Sequence, residues 1–255
     1  MKKKYLLSSL FVFLVVNTCM LTSCDKEDAD PQGSAMFPVP SYPQPDDADA
    51  VLVAVKASTP FAMPVQVPGM PVTEMNMEYG MGVALFKGNT QAGSVRLNNT
   101  ELKFTNGVHV WQPDFTDLTN PSAITGVDLS GAISWEVTNP NISANLSSLP
   151  TMPKVTSAKV VTKVDGYTLT NNASNSAAKI LYAIYSSNGK YVMKEDRPGN
   201  STSVTFSAAE LAELGSTKNG IIQANAYFIT NQTIDGKKVY FVRQSSYSVT
   251  GVEIK

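Results

Sequence analysis

Residues 221–249 read IIQANAYFITNQTIDGKKVYFVRQSSYSV, and two runs rich in Val, Ile, Tyr and Phe in this stretch flank the dipeptide Asp235-Gly236. β-Branched and aromatic residues are enriched in strands, and Asp-Gly suits a tight hairpin because a type I′ turn needs positive φ at both central residues. The stretch therefore predicts a long β-hairpin with strands over 221–230 and 238–249.

Further turn signals precede this hairpin. A strand over 155–164 leads into Asp165-Gly166, and strands over 179–186 and 190–194 flank Asn188-Gly189. Asn-Gly and Asp-Gly between runs of strand formers indicate hairpins. The pattern predicts an antiparallel β unit over residues 151–255.

One short helix is predicted inside this unit, over residues 207–214. It opens with Ser207, and Glu210 follows three residues later. This spacing is a capping box, in which each side chain satisfies a backbone N–H at the helix start. A helix this short does not stand alone, so we expect it to cap one end of the sheets.

The preceding residues also have the pattern of strands, with an apolar run over 51–55 and shorter candidates over 94–97, 108–111 and 133–137. Alternation is strictest over 74–85, and a period of two predicts one buried face and one that is wet or covered by small residues. The larger side chains of that alternation are Met75, Met77, Tyr79, Met81, Val83 and Leu85.

Prolines at 140, 150 and 153 mark a boundary near residue 150. We therefore predict an all-β protein with two β-sandwich domains, over 50–150 and 151–255, the second immunoglobulin-like with one short helix.

Residues 1–23 have the pattern of a signal peptide. Three lysines at positions 2–4 precede an apolar run over about residues 5–16, which is too short to span a bilayer. The run ends in Leu21-Thr22-Ser23-Cys24, which resembles the lipobox of bacterial lipoproteins. The resemblance implies cleavage before Cys24, palmitate or similar acyl chains on its sulfur, and attachment to a membrane. The alternative is an ordinary cleavage site with a stray cysteine, although the usual A-x-A pattern is missing.

Residues 24–49 are predicted to form a tether that is first acidic and then proline-rich. Asp25-Lys26-Glu27-Asp28 is similar to the surface-export signal of Bacteroidetes lipoproteins, although a solvated linker has the same composition. Prolines at 38, 40, 43 and 45 favour an extended stalk, and a proline-rich ligand for a partner is the alternative. Together with the lipobox, the acidic segment after Cys24 predicts an outer-membrane lipoprotein exposed at the cell surface.

Charge and cysteine content exclude several classes of function. The chain has 20 basic and 21 acidic residues, and loss of the leader with its three lysines leaves a net charge of −4. Such a balance argues against a nucleic acid partner. Cys19 leaves with the leader and Cys24 is acylated, so no disulfide or cysteine nucleophile is expected.

Four segments resemble a broad set of Bacteroidetes lipoproteins of unknown function, in which a β-sandwich precedes an immunoglobulin-like one. The resemblance implies a fold and a surface location, and no activity. The segments are SVTFSAAEL (203–211), KVYFVRQ (238–244), GSVRLN (93–98) and ISWEV (133–137).

Catalytic motifs are missing from the exported part. His109 is the single histidine, which excludes a two-histidine zinc site. It is also the one candidate histidine for a Ser-His-Asp triad, but the sequence contains no G-x-S-x-G motif to supply the serine. Its neighbours indicate a structural histidine on a strand. Asp46-Asp47-Ala48-Asp49 lacks the glycine and glutamate of an EF-hand loop and is expected to be a solvated linker, with casual calcium binding as the alternative.

Methionines cluster over residues 63–81. They are interpreted first as core packing and second as an adaptable partner-binding surface. Copper(I) bound by thioethers is the weak third alternative, and no other cofactor is predicted. The methionines that would serve copper are Met70, Met75, Met77 and Met81.

Aromatic residues are the candidate ligand contacts, because they stack on sugar rings or cover a protein partner. A carbohydrate-active hydrolase would instead need two facing carboxylates, for which Glu74, Glu78 and Glu195-Asp196 are the candidates. The leading prediction is a non-catalytic binding or assembly component for a protein or glycan, and the hydrolase and copper handling are alternatives. The aromatic candidates are Trp111, Trp135, Tyr182, Tyr185 and Tyr191.

Overall fold

The computed structural model describes residues 45–62, 74–113 and 124–255. The predictions for the signal peptide, Cys24, the tether up to residue 44, Met63 and Met70 lie outside the described residues. Within the described ranges, no helix has both the length and the apolar character needed to cross a bilayer.

The described residues form fifteen strands and one α-helix, so the predicted all-β fold class is confirmed. The elements are β1 (Ala50–Ala62), β2 (Glu74–Phe86), β3 (Val95–Leu97), β4 (Thr100–Glu101), β5 (Lys103–Thr105), β6 (Val108–Trp111), β7 (Ile133–Thr138), β8 (Asn141–Leu146), β9 (Val160–Val161), β10 (Tyr167–Thr170), β11 (Lys179–Tyr185), β12 (Tyr191–Pro198), β13 (Ser203–Phe206), α1 (Ala208–Leu211), β14 (Thr217–Ile234) and β15 (Lys237–Ile254). Short 3₁₀ turns occupy Lys87–Asn89 and Lys163–Asp165.

A nine-stranded sheet is the largest part of the molecule. Its order is β12-β11-β14-β15-β1-β2-β6-β5, and β9 pairs with the end of β15. The predicted hairpin is confirmed as β14 and β15, with φ of 50° at Asp235 and 74° at Gly236, as a type I′ turn requires. β1 lies parallel to β15 and antiparallel to β2, which joins the first and last strands of the described residues in one sheet.

Two smaller sheets, β4-β3-β7-β8 and β10-β13, supply the other sides of two hydrophobic cores. The first core joins Leu52 and Phe241 of the large sheet to Trp135 of β7. The second joins Ile180 of β11 to Phe206 of β13. We call the face of the large sheet that carries these core residues the inner face.

The two predicted domains share the large sheet. Val239 and Phe241, from the second predicted domain, are buried in the first core. Most residues of the first core precede residue 150, and the residues of the second core follow it. Hydrogen bonds between β1 and β15 nevertheless join the two predicted domains. The division at residue 150 into two independent domains stays a prediction.

A polar strip on the inner face separates the two cores. Arg243 donates from Nη1 to the backbone oxygens of Ser147 (2.9 Å) and Ser148 (3.0 Å), and the Ser245 hydroxyl donates to the Pro150 carbonyl (2.6 Å). These bonds fix the chain segment that passes from one core to the other.

Three details of the second predicted domain differ from expectation. The strand predicted over 155–164 is wrong, because only Val160–Val161 pairs in the large sheet. Asp165-Gly166 does not form a hairpin, since the following strand β10 pairs with β13 instead. Asn188 lacks positive φ, so the β11–β12 turn is not type I′.

The helix is confirmed at its start and shorter than predicted. The Ser207 hydroxyl accepts from the Glu210 N–H, and the Glu210 carboxylate accepts from the Ser207 N–H at 2.8 Å, which completes the capping box. The helix ends at Leu211, three residues before the expected end.

The strand predicted over 74–85 is confirmed as β2, but the expected core face is wrong, because both faces are buried over residues 79–82. Tyr79 and Met81 are buried on one side, whereas Ala84 and Phe86 are buried in the first core on the other. Val83, from the expected core face, is only partly buried.

Asp46 and Asp47 at the end of the tether are exposed, as expected of a solvated linker, but Asp47 and Asp49 are also bonded to the sheet. Asp47 pairs with the Lys238 ammonium and accepts from the Tyr240 hydroxyl at 2.7 Å. Asp49 accepts from the Lys238 N–H at 2.9 Å and lies 3.4 Å from the Lys87 ammonium. These bonds lower the pKa of both carboxyls, the Lys238 side chain being the main cause at Asp47 and its backbone N–H at Asp49.

Candidate functional site

Two of the five aromatic candidates are wrong as ligand contacts because they are completely buried. Trp135 is 0% exposed and lies in the first core. Tyr182 lies in the second core, and its hydroxyl donates to Asn171 Oδ1 at 2.9 Å and to the Ser201 carbonyl at 3.2 Å. Burial raises the pKa of Tyr182 to about 12, and Asn171 partly opposes this shift.

Trp111 is partly buried. It packs against the first core, and its ring lies directly beside Gly126, where a Cβ atom would come within 2.5 Å of the indole. Its main contact is therefore structural.

Tyr185 and Tyr191 form a pair at the surface. They are opposite each other on β11 and β12, with ring centroids 5.6 Å apart and planes tilted by 37°. Tyr191 is 38% exposed and lies on β12, which is an edge strand of the large sheet. These two residues keep the predicted role of aromatic contacts.

The tyrosine pair lies at the opposite end of the sheet from residues 45–49. Asp49 is bonded to Lys238 near the start of β15. Tyr185 of β11 lies opposite Ile221 of β14. The next residue of β14, Ile222, lies opposite Val249 near the end of β15. From Lys238 to Val249 an extended strand spans about 36 Å.

Other exposed apolar side chains share this end. Within the described ranges, the exposed large apolar residues are Val160 (42%), Val164 (81%) and Tyr191. Val160 pairs with Glu253 near the end of β15, and Val164 belongs to the following 3₁₀ turn. We call this end of the sheet, with Val160, Val164, Tyr185 and Tyr191, the far end.

The predicted carboxylates do not form a facing pair among the described side chains. Glu78 is paired with Lys56, and the side chain of Glu74 lies outside the described set. Burial raises the pKa of Glu195, and the charge of Asp196 adds to the shift. Asp196 is the next residue on the same strand, so these two carboxyls do not face each other across a cleft.

Asp196 is held by two neighbours. Its Oδ1 accepts from the Tyr227 hydroxyl at 2.7 Å and from the Lys179 ammonium at 3.0 Å, and these bonds lower the pKa of its carboxyl. A partner set of this kind is typical of a structural ion pair.

The methionines are only partly described. Met81 is buried and Met77 is partly buried, but neither belongs to one of the two cores. The side chain of Met75 and all of Met70 lie outside the described residues, so copper binding stays an untested alternative.

His109 has a structural environment. Its Nε2 accepts from the Ala92 N–H at 3.0 Å, and its ring lies against Phe86 (5.8 Å) and Phe104 (5.0 Å). Burial lowers its pKa, and the Leu102 carbonyl partly opposes this shift.

A cavity on the inner face was not predicted from the sequence. It has a volume of about 280 Å³ and lies between β1, β2 and the segment 125–130. Lys56 lines the cavity and lies opposite Ser245, which belongs to the polar strip between the two cores. We therefore call it the seam cavity. Its polar lining residues are Lys56, Glu78, Tyr79, Thr125, Asp128 and Ser130.

Three charges line the seam cavity. The Lys56 ammonium lies 2.7 Å from a Glu78 carboxylate oxygen. Asp128 accepts from the Ser130 N–H at 3.0 Å, which is the main cause of its lowered pKa, and Lys56 lowers that pKa further. No sequence motif marks this site, because its residues come from three separate segments.

The chain matches no protein-family model and no curated protein. The resemblance to Bacteroidetes lipoproteins stays a prediction.

Proposed function

We propose that this chain is a membrane-anchored lipoprotein that binds a glycan at the cell surface without catalysing a reaction. The Tyr185–Tyr191 pair is the proposed contact. The observation that carries the proposal is that the exposed aromatic ring lies at the end of the sheet opposite Asp47 and Asp49.

The position of the pair suits a tethered receptor. The N-terminal segment joins the sheet beside Asp47 and Asp49, and the far end lies about 36 Å along β15 from that junction. A surface polymer can reach the far end without contacting the junction.

A glycan is favoured over a protein partner by the size of the exposed surface. The three exposed large apolar side chains come from separate strands and turns. A stable protein interface usually buries about 800 Å² on each partner around a well-packed apolar centre. A tyrosine pair offers a smaller surface, with apolar ring faces and polar hydroxyls, which matches a sugar ring.

Glycan binding is tested with the mature chain carrying Cys24→Ala, by affinity electrophoresis in gels that contain individual surface polysaccharides. Tyr191→Ala is expected to weaken binding about fivefold, since an aromatic contact contributes on the order of 1 kcal/mol beyond burial of area. Tyr191→Phe keeps the ring and is expected to retain most of the affinity.

Two outcomes would contradict this proposal. Polysaccharide binding that is unchanged in Tyr191→Ala would place the contact elsewhere. Proximity labelling on intact cells that marks one protein only when Tyr191 is present, with no glycan retained, would favour a protein partner.

The anchor is tested separately from the ligand. Cells labelled with a palmitate analogue are expected to transfer it to the wild-type chain and not to Cys24→Ala. Wild-type protein without label would contradict the lipoprotein assignment and leave the glycan site unaffected.

A further inference from the structure

Tyr185 and Tyr191 lie on the face of the large sheet that is opposite the inner face. The residues next to them on β11 and β12, Ile184 and Val192, contact the second core. Adjacent residues of a strand point to opposite faces, so the two tyrosines point away from that core. We call the face that carries them the outer face.

A third side chain continues the tyrosine pair across the sheet. Ile221 of β14 lies opposite Tyr185, and Tyr185 lies opposite Tyr191. Because the next residue, Ile222, belongs to the second core, Ile221 lies on the outer face with the tyrosines. Tyr191 is exposed, whereas Tyr185 and Ile221 are partly buried. We call these three residues the outer row.

The outer row crosses three neighbouring strands, β12, β11 and β14. Neighbouring strands lie about 4.8 Å apart, so the row is about 10 Å long between its outermost backbone positions. Two linked sugar rings have this length. A sugar chain that runs across the strands therefore places one ring at the tyrosine pair and the next ring at Ile221.

The outer row consists of uncharged side chains. Two phenol rings and one aliphatic side chain match the C–H face of a sugar ring, and the phenol hydroxyls match its polar edge. The row offers no cation to the carboxylate of an acidic sugar, which would lose part of its hydration there without gaining a partner. The composition of the row thus favours neutral sugars over acidic ones.

We propose that the outer row binds two consecutive neutral sugars of a glycan, the first on the Tyr185–Tyr191 pair and the second on Ile221. This inference rests on the proposed glycan function. It adds to that function the class of sugar, the direction of the glycan across the strands, and a second contact residue.

The inference is tested by binding of the mature Cys24→Ala chain to an array of immobilised sugars. The array contains glucose, galactose and mannose, disaccharides of each, and the corresponding uronic acids. At least one neutral disaccharide is expected to bind about fivefold more tightly than its monosaccharide, because the second ring buries further apolar surface. Retention of uronic acids alone, equal retention of monosaccharides and disaccharides, or retention of no sugar would overturn the inference.

Variants separate the second contact from the first. Ile221→Thr keeps the β-branched shape that suits a strand and removes apolar surface, so it is expected to weaken disaccharide binding about threefold and to leave monosaccharide binding unchanged. Tyr191→Ala is expected to weaken both. Val160→Thr makes a similar change at an exposed position outside the outer row and is the matched control. Thermal melts confirm that each variant is folded.

The outcomes distinguish this inference from the proposed function. Disaccharide binding that falls in Tyr191→Ala but not in Ile221→Thr would leave glycan binding in place and overturn the outer row. Equal losses in Ile221→Thr and Val160→Thr would also overturn it, because the effect would then not depend on the row. Sugar binding that is unchanged in Tyr191→Ala would contradict both.

Discussion

His109 shows how one buried side chain makes the fold sensitive to acid. Its Nε2 accepts a hydrogen bond from the Ala92 N–H, which requires an unprotonated nitrogen there. Protonation would remove this acceptor and place a charge between Phe86 and Phe104. The folded state thus prefers the neutral imidazole, in agreement with a pKa below the ordinary value of 6.5.

The first prediction concerns stability against pH. Because the folded pKa of His109 is lowered, its contribution is complete above about pH 6.5 and is lost as pH falls below that value. Between pH 7.5 and 5, wild type is expected to lose more stability than His109→Gln, whose amide oxygen still accepts from Ala92. Urea denaturation at both pH values measures the difference, and the carboxyls titrate alike in both forms. Parallel losses in the two proteins would count against the prediction.

The close contact between β2 and segment 125–130 depends on the lack of side chains at Gly80 and Gly126. β2 and segment 125–130 touch through their backbones, so even a methyl group on Gly80 meets a carbonyl oxygen. Gly131, five residues beyond Gly126, has no atom within 4 Å of its added Cβ. The two positions make a matched pair.

The second prediction contrasts these glycines. Gly80→Ala is expected to lower the free energy of unfolding by roughly 3 kcal/mol, because backbone has to move to accept the methyl group. Gly131→Ala is expected to stay within about 0.5 kcal/mol of wild type. Chemical denaturation measures both, and a Gly80→Ala protein as stable as Gly131→Ala would show that the contact is not rigid.

The third prediction concerns the start of α1. Ser207→Ala removes the hydroxyl that accepts from Glu210 and is expected to cost about 1 kcal/mol. The backbone N–H of Ser207, followed by Lys194, lowers the pKa of Glu210 to about 2. The stabilisation from this carboxylate is therefore present above its ordinary pKa of 4.5 and is lost toward pH 2. Carboxyl NMR titration of Glu210 checks the shift, and a normal pKa would contradict the capping geometry.

At the scale of the whole molecule, β15 belongs to both cores. Val239 and Phe241 near its start lie in the first core, and Val252 and Ile254 near its end lie in the second. β1 pairs with β15 along most of its length and continues the sheet into β2. Loss of either core exposes part of the same strand.

The fourth prediction follows from this sharing. Residues 45–255 are expected to unfold in one calorimetric transition, and fragment 151–255 is expected not to fold alone, because β15 loses β1 and its part of the first core. Two separated transitions, or a folded fragment with dispersed NMR signals, would instead support two independent domains.

Features that depend on neighbouring residues were predictable from the amino-acid sequence. Alternation predicted β2, Asp235-Gly236 predicted the long hairpin, and Ser207 with Glu210 predicted the helix start. Each of these rests on local backbone preferences, hydrogen bonds across a tight turn, or contacts within one helical turn. An all-β fold followed because such signals recur along the chain.

Which surfaces are covered depends on long-range packing, which the sequence pattern does not contain. A period of two shows that β2 has two faces but not that both are buried, and it does not reveal that Trp135 and Tyr182 lie in cores while Tyr191 is exposed. The seam cavity unites Lys56, Glu78 and Asp128 through pairings between distant segments. Pairing of β1 with β15 joins residues nearly two hundred positions apart, and local preferences carry no information about contacts over such separations.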